Sequence, residues 1–358
     1  MKRKWTAQEA NDWYKNLGWL RGCNFIGSDC ANRLDMWQSY KCEEKLATAD
    51  RELALVEKIG FNTVRLWANF DVYYAEPESF MDILERYISL CDKHHQKVMI
   101  VLGYEEDLPR GDVFVPKKLG EQPYALGEHQ GRFPLSEEQQ ALEPHHYMEY
   151  PELKDRFIEM VRRIVGKYRN DERVFCWNVW NEPGIARGEL TVEFLDILFE
   201  VVRNEDPIQP LCADIWRDFT DGKPRFKEEA RALEFSDVVS IHSYSKYSRF
   251  IETLFEAKKH SRPVFVTEWL HRINYNNVAE IYPLLFIENV ANYCWGFVVG
   301  KTQTNEPWSE LWKRYEEGRD FDFTKWQHDL FRANLRPYDP KEIELIEHFN
   351  TLADKNTR

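Results

Sequence analysis

Two glutamates in this chain each lie at the end of a short apolar segment of the kind that forms a buried strand. The segment Val174–Trp180 is followed by Asn181 and Glu182, and the segment Val264–Trp269 contains Glu268. A carboxylate at the carboxyl end of a buried strand can act as an acid, a base or a nucleophile on a bound substrate. Two such carboxylates cleave a glycosidic bond with retention when one protonates the leaving oxygen and the other attacks the sugar carbon. The pattern therefore predicts a glycosidase.

The two carboxylates need different protonation states, and their neighbours predict which is which. The acid must be protonated near neutral pH while the nucleophile is ionised, and two carboxylates in one partly desolvated pocket drive their pKa values apart. Arg65 ends another apolar segment and is expected to hold Glu268 ionised. We therefore predict Glu182 as general acid/base and Glu268 as nucleophile. Asn181, beside the acid, is expected to donate a hydrogen bond to the 2-hydroxyl of the sugar.

Strand-like and helix-like segments alternate along the chain, which predicts parallel strands joined by helices. Helical spacing of apolar residues predicts helices over 48–59, 79–93, 155–168 and 191–204, and a capping box at Thr6 and Glu9 predicts a short extra helix before the first strand. No Gly-rich phosphate loop follows a strand, which disfavours an open doubly wound sheet. We predict one domain over residues 1–358, an α/β fold of the (β/α)8 TIM-barrel type. The predicted strands are Cys23–Ile26, Thr63–Trp67, Lys97–Leu102, Val174–Trp180, Pro210–Trp216, Val238–His242, Val264–Trp269 and Cys294–Val299.

Two predicted loops at the carboxyl ends of strands are much longer than ordinary turns. Residues 103–151 follow the third strand and residues 300–329 follow the eighth, and both segments are rich in aromatic residues. Long loops at this end of a barrel usually form lids or pocket walls. Two such walls favour a pocket that trims a terminal sugar over an open cleft that cuts polymers. The acidic run 105–107 at the start of the first loop is predicted to be solvated.

The chain resembles glycoside hydrolase family 5, in the clan A of retaining (β/α)8 barrels, in the order of its polar residues between about residues 20 and 305. The resemblance implies that Tyr244 orients Glu268 and that His242 contacts the sugar in the −1 subsite or the acid. It also implies that Trp295 lies near that sugar. The matching positions are Arg65 after the second strand, Asn181-Glu182 after the fourth, His242-Ser243-Tyr244 after the sixth, Glu268 after the seventh and Trp295 near the eighth.

The sequence departs from the family pattern after the third strand, where the usual His is replaced by Gly103-Tyr-Glu-Glu-Asp107. After the eighth strand, Lys301 and Gln303 are alternatives to Trp295 as the residue that faces the sugar. The segments Gly22–Gly27 and Asn32–Gln38, together with the Lys301-Thr-Gln303 stretch, resemble subfamily 18 of the family. Some members of that subfamily are cytoplasmic β-mannosidases that act on the Man-β-1,4-GlcNAc unit of N-glycan cores.

Several residues have a structural interpretation beside the functional one. Trp37, Trp67, Trp216 and Trp269 are candidates for either core packing or the pocket lining. The adjacent pairs His94-His95 and His145-His146 lack the usual spacing of metal ligands, so we predict no metal and no cofactor.

Composition limits the partners. The formal net charge of −13 disfavours nucleic acid, and no apolar run approaches the length of a membrane span. Seven scattered cysteines without a disulfide pattern, and no visible secretion signal, predict a cytoplasmic protein. Tryptophans in the eighth loop offer a surface for contact with a second copy of the chain.

The sequence thus predicts a retaining β-glycosidase, with an exo-acting β-mannosidase on short oligosaccharides such as Man-β-1,4-GlcNAc as the first expectation. An endo-acting enzyme on mannan, glucan or xylan is the nearest alternative. A sugar-binding barrel without activity is a further alternative, and the intact pair of glutamates argues against it.

Overall fold

The computed structural model describes residues 3–105, 117–124, 128–129, 145–217 and 219–356. Eight parallel strands pair side by side and close into a barrel in which β1 lies between β2 and β8. The (β/α)8 prediction is therefore confirmed. The barrel strands are β1 (Arg21–Asn24), β2 (Thr63–Trp67), β3 (Lys97–Val101), β4 (Val174–Trp180), β5 (Leu211–Ile215), β6 (Val239–His242), β7 (Val264–Trp269) and β8 (Ala291–Cys294).

The eighth strand was predicted wrongly, several residues too late in the sequence. It ends at Cys294 because Gly296 has a φ of 71°, a left-handed conformation that breaks the extended backbone. A Cβ at Gly296 would also lie 2.5 Å from the carboxylate of Asp329. The apolar residues that follow are buried in a loop, where Val298 forms an isolated bridge with Phe331. The other seven strands begin and end within two residues of the predicted bounds.

The helices surround the barrel. Of the four helices with predicted bounds, three begin two to six residues before the predicted residue and the fourth begins at it. Pro77 and Pro151 each begin a helix, as expected for a residue whose missing N–H costs nothing at that position. The α-helices among the described residues are α1 (Ala7–Leu17), α2 (Arg33–Trp37), α3 (Cys42–Lys58), α4 (Phe70–Ala75), α5 (Pro77–Lys93), α6 (Pro151–Tyr168), α7 (Thr191–Asn204), α8 (Lys227–Phe235), α9 (Tyr247–Lys258), α10 (Val278–Ile287), α11 (Ser309–Glu316) and α12 (Pro340–Asn356).

Helix α1 covers the amino-terminal end of the barrel. Its capping box forms as predicted, with the Thr6 side chain and Glu9 bonded to each other's backbone N–H. Trp13 stacks on Phe175 with ring centroids 6.4 Å apart, and Tyr14 is buried against Phe265 at 5.6 Å. With this end covered by aromatic rings, the accessible end of the barrel is the one where the strands terminate.

The long loops lie at that accessible end. The loop after β8 contains α11, and the described part of the loop after β3 includes the dipeptide formed by Glu128 and His129. The dipeptide is fixed by two backbone hydrogen bonds, from Glu128 to Ala31 at 2.8 Å and from His129 to Thr302 at 3.2 Å. It thereby joins the loops that follow β1 and β8. Among the described helices, none is long and apolar enough to cross a bilayer.

Candidate active site

Glu182 follows β4 in a tight turn whose backbone is held in an uncommon conformation. Its φ is 45°, in the left-handed region that non-glycine residues rarely adopt. Such strain persists only where surrounding contacts impose it, and it often marks a functional residue. The contacts come from Glu105, whose carboxylate accepts hydrogen bonds from the backbone N–H groups of Gly184 at 2.9 Å and Ala186 at 2.8 Å.

The prediction of a solvated acidic run after β3 is wrong for Glu105, whose exposed fraction is 1%. Besides its two bonds to the turn, its carboxylate accepts from Arg187 N at 2.8 Å, from Thr191 Oγ1 at 2.6 Å and from Trp180 Nε1 at 3.2 Å. Five donors offset the cost of burying this carboxylate. Glu105 therefore fixes the turn that carries the acid. The other two residues of the run, 106 and 107, lie outside the described residues.

Glu268 projects from β7 and is held through both carboxylate oxygens. Arg65 donates from Nη1 to Oε1 at 2.8 Å, and the hydroxyl of Tyr244 donates to Oε2 at 2.7 Å. Burial raises the pKa of Tyr244 well above its usual value, and the negative charge of Glu268 adds to the rise, so the phenol keeps its proton. The carboxylate is thus fixed in orientation by a cation on one side and a neutral donor on the other.

Arg65 is fully buried and also bonds to two residues on other strands and to one that directly follows β4. Its guanidinium donates to Asn24 Oδ1 at 2.9 Å, to Asn181 Oδ1 at 2.7 Å and to Asp214 Oδ2 at 2.8 Å. The residue therefore lies beneath the two glutamates as a hub and does not line the cavity. Asn181, with 1% of its surface exposed, is held in this hub beside the acid.

Asp214, on β5, is a component of the site that the sequence reasoning missed. It is fully buried and, besides Arg65, accepts hydrogen bonds from Asn178 at 2.8 Å and from Thr267 at 2.9 Å. Burial favours its neutral form, but Arg65 and His242 outweigh that effect and hold the pKa of Asp214 below its usual range. A carboxylate inside a predicted apolar strand was the available sequence signal, because a buried charge requires a partner.

His242, at the end of β6, connects the three carboxylates. Its Nδ1 lies 2.7 Å from Glu182 Oε1 and 3.5 Å from Glu268 Oε2, and its Nε2 lies 3.5 Å from Asp214 Oδ2. Burial disfavours the charged imidazolium, but Glu268 and Asp214 outweigh burial and raise the pKa of His242 to about 10. His242 and Arg65 thus place two positive charges among the buried carboxylates of the site, which offsets part of the cost of burying them.

The two glutamates are close enough to act on one bond. One carboxylate oxygen of Glu182, one of Glu268 and a ring nitrogen of His242 all lie within 4.8 Å of one another. Burial raises the pKa of Glu268 and the adjacent Glu182 adds to the rise, whereas His242, Arg65 and Tyr244 lower it. The neighbouring carboxylate thus opposes the ionised form of Glu268, and the positive neighbours favour it.

A cavity of about 1070 Å³ opens above these groups and has two different walls. The acid-side wall consists of Ile185, Trp216 and Arg217, from the loops after β4 and β5. It is joined to the acid because the indole N–H of Trp216 donates to Pro183 O at 3.2 Å. A leaving group protonated by Glu182 would therefore extend along this wall.

The opposite wall, which we call the closed wall, consists of Arg33, Glu128, His129 and Trp295. It is connected to the nucleophile through Trp67, whose ring lies 4.7 Å from the guanidinium of Arg65, 4.4 Å from that of Arg33 and 4.7 Å from the ring of Trp295. Its residues come from the loops after β1, β3 and β8.

A cluster of imidazole and indole rings supports Tyr244 and Trp295. Trp308 packs edge-on against Tyr244 at 5.2 Å and against His271 at 4.7 Å. The indole N–H of Trp295 donates to Nε2 of His129 at 2.7 Å. Burial lowers the pKa of His129 and of His271 to about 3. These rings are neutral at physiological pH, so His129 Nε2 remains an acceptor that fixes Trp295.

The structure brings most of the predicted site residues together and leaves three apart. Around the cavity or directly beneath it lie Arg65, Asn181, Glu182, Trp216, His242, Tyr244, Glu268 and Trp295. Trp37 is instead fully buried, with its ring 5.1 Å from that of Tyr87. Asn32 caps α2 by accepting from Asp35 N at 2.9 Å. Lys301 is exposed and does not line the cavity.

These three residues were misplaced for identifiable reasons. The sequence alone does not show whether a tryptophan such as Trp37 belongs to the core or to the pocket. Asn32 caps a helix in the structure, which is a common role for Asn at such a position. Of the three candidates after β8, Trp295 lines the cavity, whereas Gln303 is buried and bonded to the backbone of Tyr124. Arg33, Glu128 and His129 were not predicted, because nothing in a loop sequence shows which of its residues return to the barrel.

Solved structures that share this fold include the following three, each with low sequence identity to this chain. An exo-beta-1,4-mannosidase from Opitutaceae bacterium strain TAV5 is 16% identical with a TM-score of 0.60; the match covers 95% of this chain and 60% of that one. A GH5_18 protein from Streptomyces cattleya, in complex with Manb1-4GlcNAc, is 14% identical with a TM-score of 0.61 over 93% and 80% of the two chains. An endo-beta-1,4-mannanase from Thermotoga petrophila is 15% identical with a TM-score of 0.57 over 94% and 78%.

The TM-scores show a common fold, and at identities this low they show the fold alone. No curated protein matches the chain in sequence. Residues 23–283, most of the 358-residue chain, match the family model described as Cellulase (glycosyl hydrolase family 5). The chain therefore belongs to glycosyl hydrolase family 5, a family of glycosidases.

Proposed function

We propose that this protein is a retaining β-glycosidase that works by double displacement through Glu182 and Glu268. The observation that carries the proposal is the approach of one oxygen of each carboxylate to within 4.8 Å. A separation near 5 Å lets the second carboxylate attack the sugar directly, whereas inverting enzymes leave room for a water between the two groups.

The contacts of each glutamate support its role. Arg65 and Tyr244 each donate a hydrogen bond to the carboxylate of Glu268. These bonds orient Glu268 as a nucleophile and favour its ionised form. Glu182 has fewer stabilising partners and borders the acid-side wall, where the leaving group would lie. In the first step Glu268 attacks the anomeric carbon while Glu182 protonates the departing oxygen. In the second, Glu182 deprotonates the water that releases the sugar.

We propose further that the enzyme removes a terminal mannose from short β-mannosides. We infer that the closed wall blocks the groove on the nucleophile side, so that one sugar fits before the scissile bond and no preceding chain does. Two of the structures with this fold are those of an exo-beta-1,4-mannosidase and of a GH5_18 protein in complex with Manb1-4GlcNAc. The resemblance of residues 32–38 and 301–303 to subfamily 18 points the same way.

Man-β-1,4-GlcNAc from N-glycan cores is the substrate that fits these features best. A disaccharide of this kind places mannose against the closed wall and GlcNAc along the acid-side wall. A cytoplasmic location, as the sequence leads us to expect, would supply short oligosaccharides of this type and no polysaccharide.

The test is a turnover assay of the purified protein on Man-β-1,4-GlcNAc, mannobiose, cellobiose and xylobiose, and on β-mannan and other polymers. We expect mannose release from the first substrate at the highest kcat/KM and no change in polymer viscosity. Rapid loss of viscosity with the disaccharides untouched would replace this proposal with an endo-acting enzyme.

A further inference from the structure

The closed wall contains a buried ion pair that the two-glutamate mechanism does not use. Arg33 and Glu128 form a salt bridge, and their side chains are 3% and 7% exposed. Both residues line the cavity. Charged groups are seldom buried at a cavity surface unless partners or a ligand offset the cost of removing them from water.

The position of the pair is fixed from several directions. The guanidinium of Arg33 lies 4.4 Å from the ring of Trp67 and 4.5 Å from that of Tyr104. Glu128 is held through its backbone, which donates to Ala31 O at 2.8 Å. The guanidinium of Arg33 is held over two aromatic rings, and the backbone of Glu128 is held by a hydrogen bond. The pair therefore forms a preorganised binding surface.

The chemistry of the pair suits a sugar hydroxyl. A carboxylate accepts hydrogen bonds and a guanidinium donates them, whereas a hydroxyl can do both at once. One hydroxyl can therefore donate to Glu128 and accept from Arg33. The adjacent rings of Trp67 and Trp295 offer the apolar faces that sugar C–H groups contact.

The location of the wall determines which hydroxyl this is. Glu268 attacks C1, and the leaving group extends from C1 towards the acid-side wall, so the opposite edge of the same ring faces the closed wall. That edge carries the 4-hydroxyl, which is also the atom through which a preceding sugar would be attached in a β-1,4-linked chain. Resting on the proposed function, we propose that Arg33 and Glu128 bind the free 4-hydroxyl of the terminal sugar and thereby restrict the enzyme to chain ends.

The experiment measures binding without turnover, in a Glu182→Gln parent. Calorimetry compares Man-β-1,4-GlcNAc with the analogue that lacks the 4-hydroxyl of its mannose. A hydrogen bond to a charged group predicts that the parent binds the analogue roughly 10- to 100-fold more weakly. Adding Glu128→Gln, or Glu128→Asp, which withdraws the carboxylate by one methylene, should weaken binding of the natural disaccharide and reduce the preference for it over the analogue, while Arg33 still contributes its own hydrogen bond.

The matched control is Glu342→Gln, the same change in the Arg272–Glu342 pair, which is buried to a similar degree and does not line the cavity. It should preserve the full preference for the 4-hydroxyl, and thermal melts verify that each variant is folded. The assignment would be overturned if both Glu128 variants kept the full preference for the ligand with the 4-hydroxyl. It would also be overturned if the Glu182→Gln parent bound the two ligands equally or bound neither of them. Failure of the wild-type protein to turn over any glycoside, with the preference intact, would refute the proposed function and leave only the contact of the pair with the 4-hydroxyl.

Discussion

The hydroxyl of Tyr244 and the carboxylate of Glu268 are joined by a hydrogen bond of 2.7 Å, on the oxygen that Arg65 leaves unoccupied. Tyr244 follows β6 and Glu268 lies on β7, so the contact spans neighbouring strands of the barrel. The bond stabilises the ionised carboxylate in a site whose burial disfavours it. Glu268, the proposed nucleophile, is thus oriented by Tyr244, which also favours its ionised form.

Replacing Tyr244 with Phe should lower kcat/KM by roughly 10- to 100-fold, the effect expected for loss of a hydrogen bond to a charged group. Because Tyr244 lowers the pKa of Glu268, its loss should also move the acid limb of the pH–rate profile to higher pH. Steady-state kinetics across the pH range checks both effects. The control is Tyr87→Phe, which changes a tyrosine buried in the core. An equal loss of kcat/KM in that control, or an acid limb that does not move in Tyr244→Phe, would contradict the role of Tyr244.

The two glutamates should respond differently to the leaving group. Glu182→Ala is expected to retain most of its first-step rate on aryl glycosides with good leaving groups and to lose roughly 10²–10⁴-fold on poor ones, because only the latter need a proton. Glu268→Ala should lose activity on both. The measurement is the dependence of kcat/KM on leaving-group pKa for each variant. The same dependence in the two would show that the roles are misassigned.

Arg65 should matter for both stability and catalysis. Replacing it with Met removes one of the two buried cations beside Asp214 and Glu268, which should cost about 3–5 kcal/mol in the free energy of unfolding. Arg203→Met is the matched control, since Arg203 forms a buried pair with Asp237 at the covered end of the barrel. Denaturant titration should show comparable destabilisation of both variants. Activity of the folded fraction should fall only in the Arg65 variant, and a loss in both would contradict a specific role.

The stability of the protein should depend on pH through Asp329. Burial raises the pKa of this carboxyl from 3.8 to about 7. A carboxyl whose pKa is raised in the folded state stabilises the fold while it is protonated, and this contribution is lost as pH rises from about 4 through 7. Relative to Asp329→Asn, the wild-type protein should lose on the order of 3 kcal/mol between pH 4.5 and pH 8. Urea titrations at both pH values test this, with the exposed Asp155→Asn as control; a difference independent of pH would refute it.

The barrel could be predicted from the sequence because its strands are short apolar runs bounded by polar residues. β2, β4 and β7 have the predicted bounds for this reason. β8 does not, because the apolar run continues beyond the backbone reversal at Gly296 into a buried loop. Apolar character reports burial, and only the conformation of the backbone decides whether a buried segment is a strand.

The catalytic centre was predictable to the extent that its residues lie at strand ends. Glu182 and Glu268 follow from the barrel geometry, because the ends of parallel strands converge on one site. His242 was predicted only from the resemblance to the family. Glu128 and Glu105 belong to a long loop, and their positions depend on backbone contacts with distant segments, such as that of Glu128 with Ala31. Such contacts have no local sequence signal, so the closed wall was predicted only as a loop of suitable length.

The most direct test of the account is proton NMR of the first product formed from Man-β-1,4-GlcNAc. Double displacement at a terminal mannoside predicts free mannose that appears first as the β-anomer and then mutarotates to the equilibrium mixture. Mannose appearing first as the α-anomer would contradict the roles of Glu182 and Glu268. An intact disaccharide in the presence of active enzyme would contradict the assignment of the substrate.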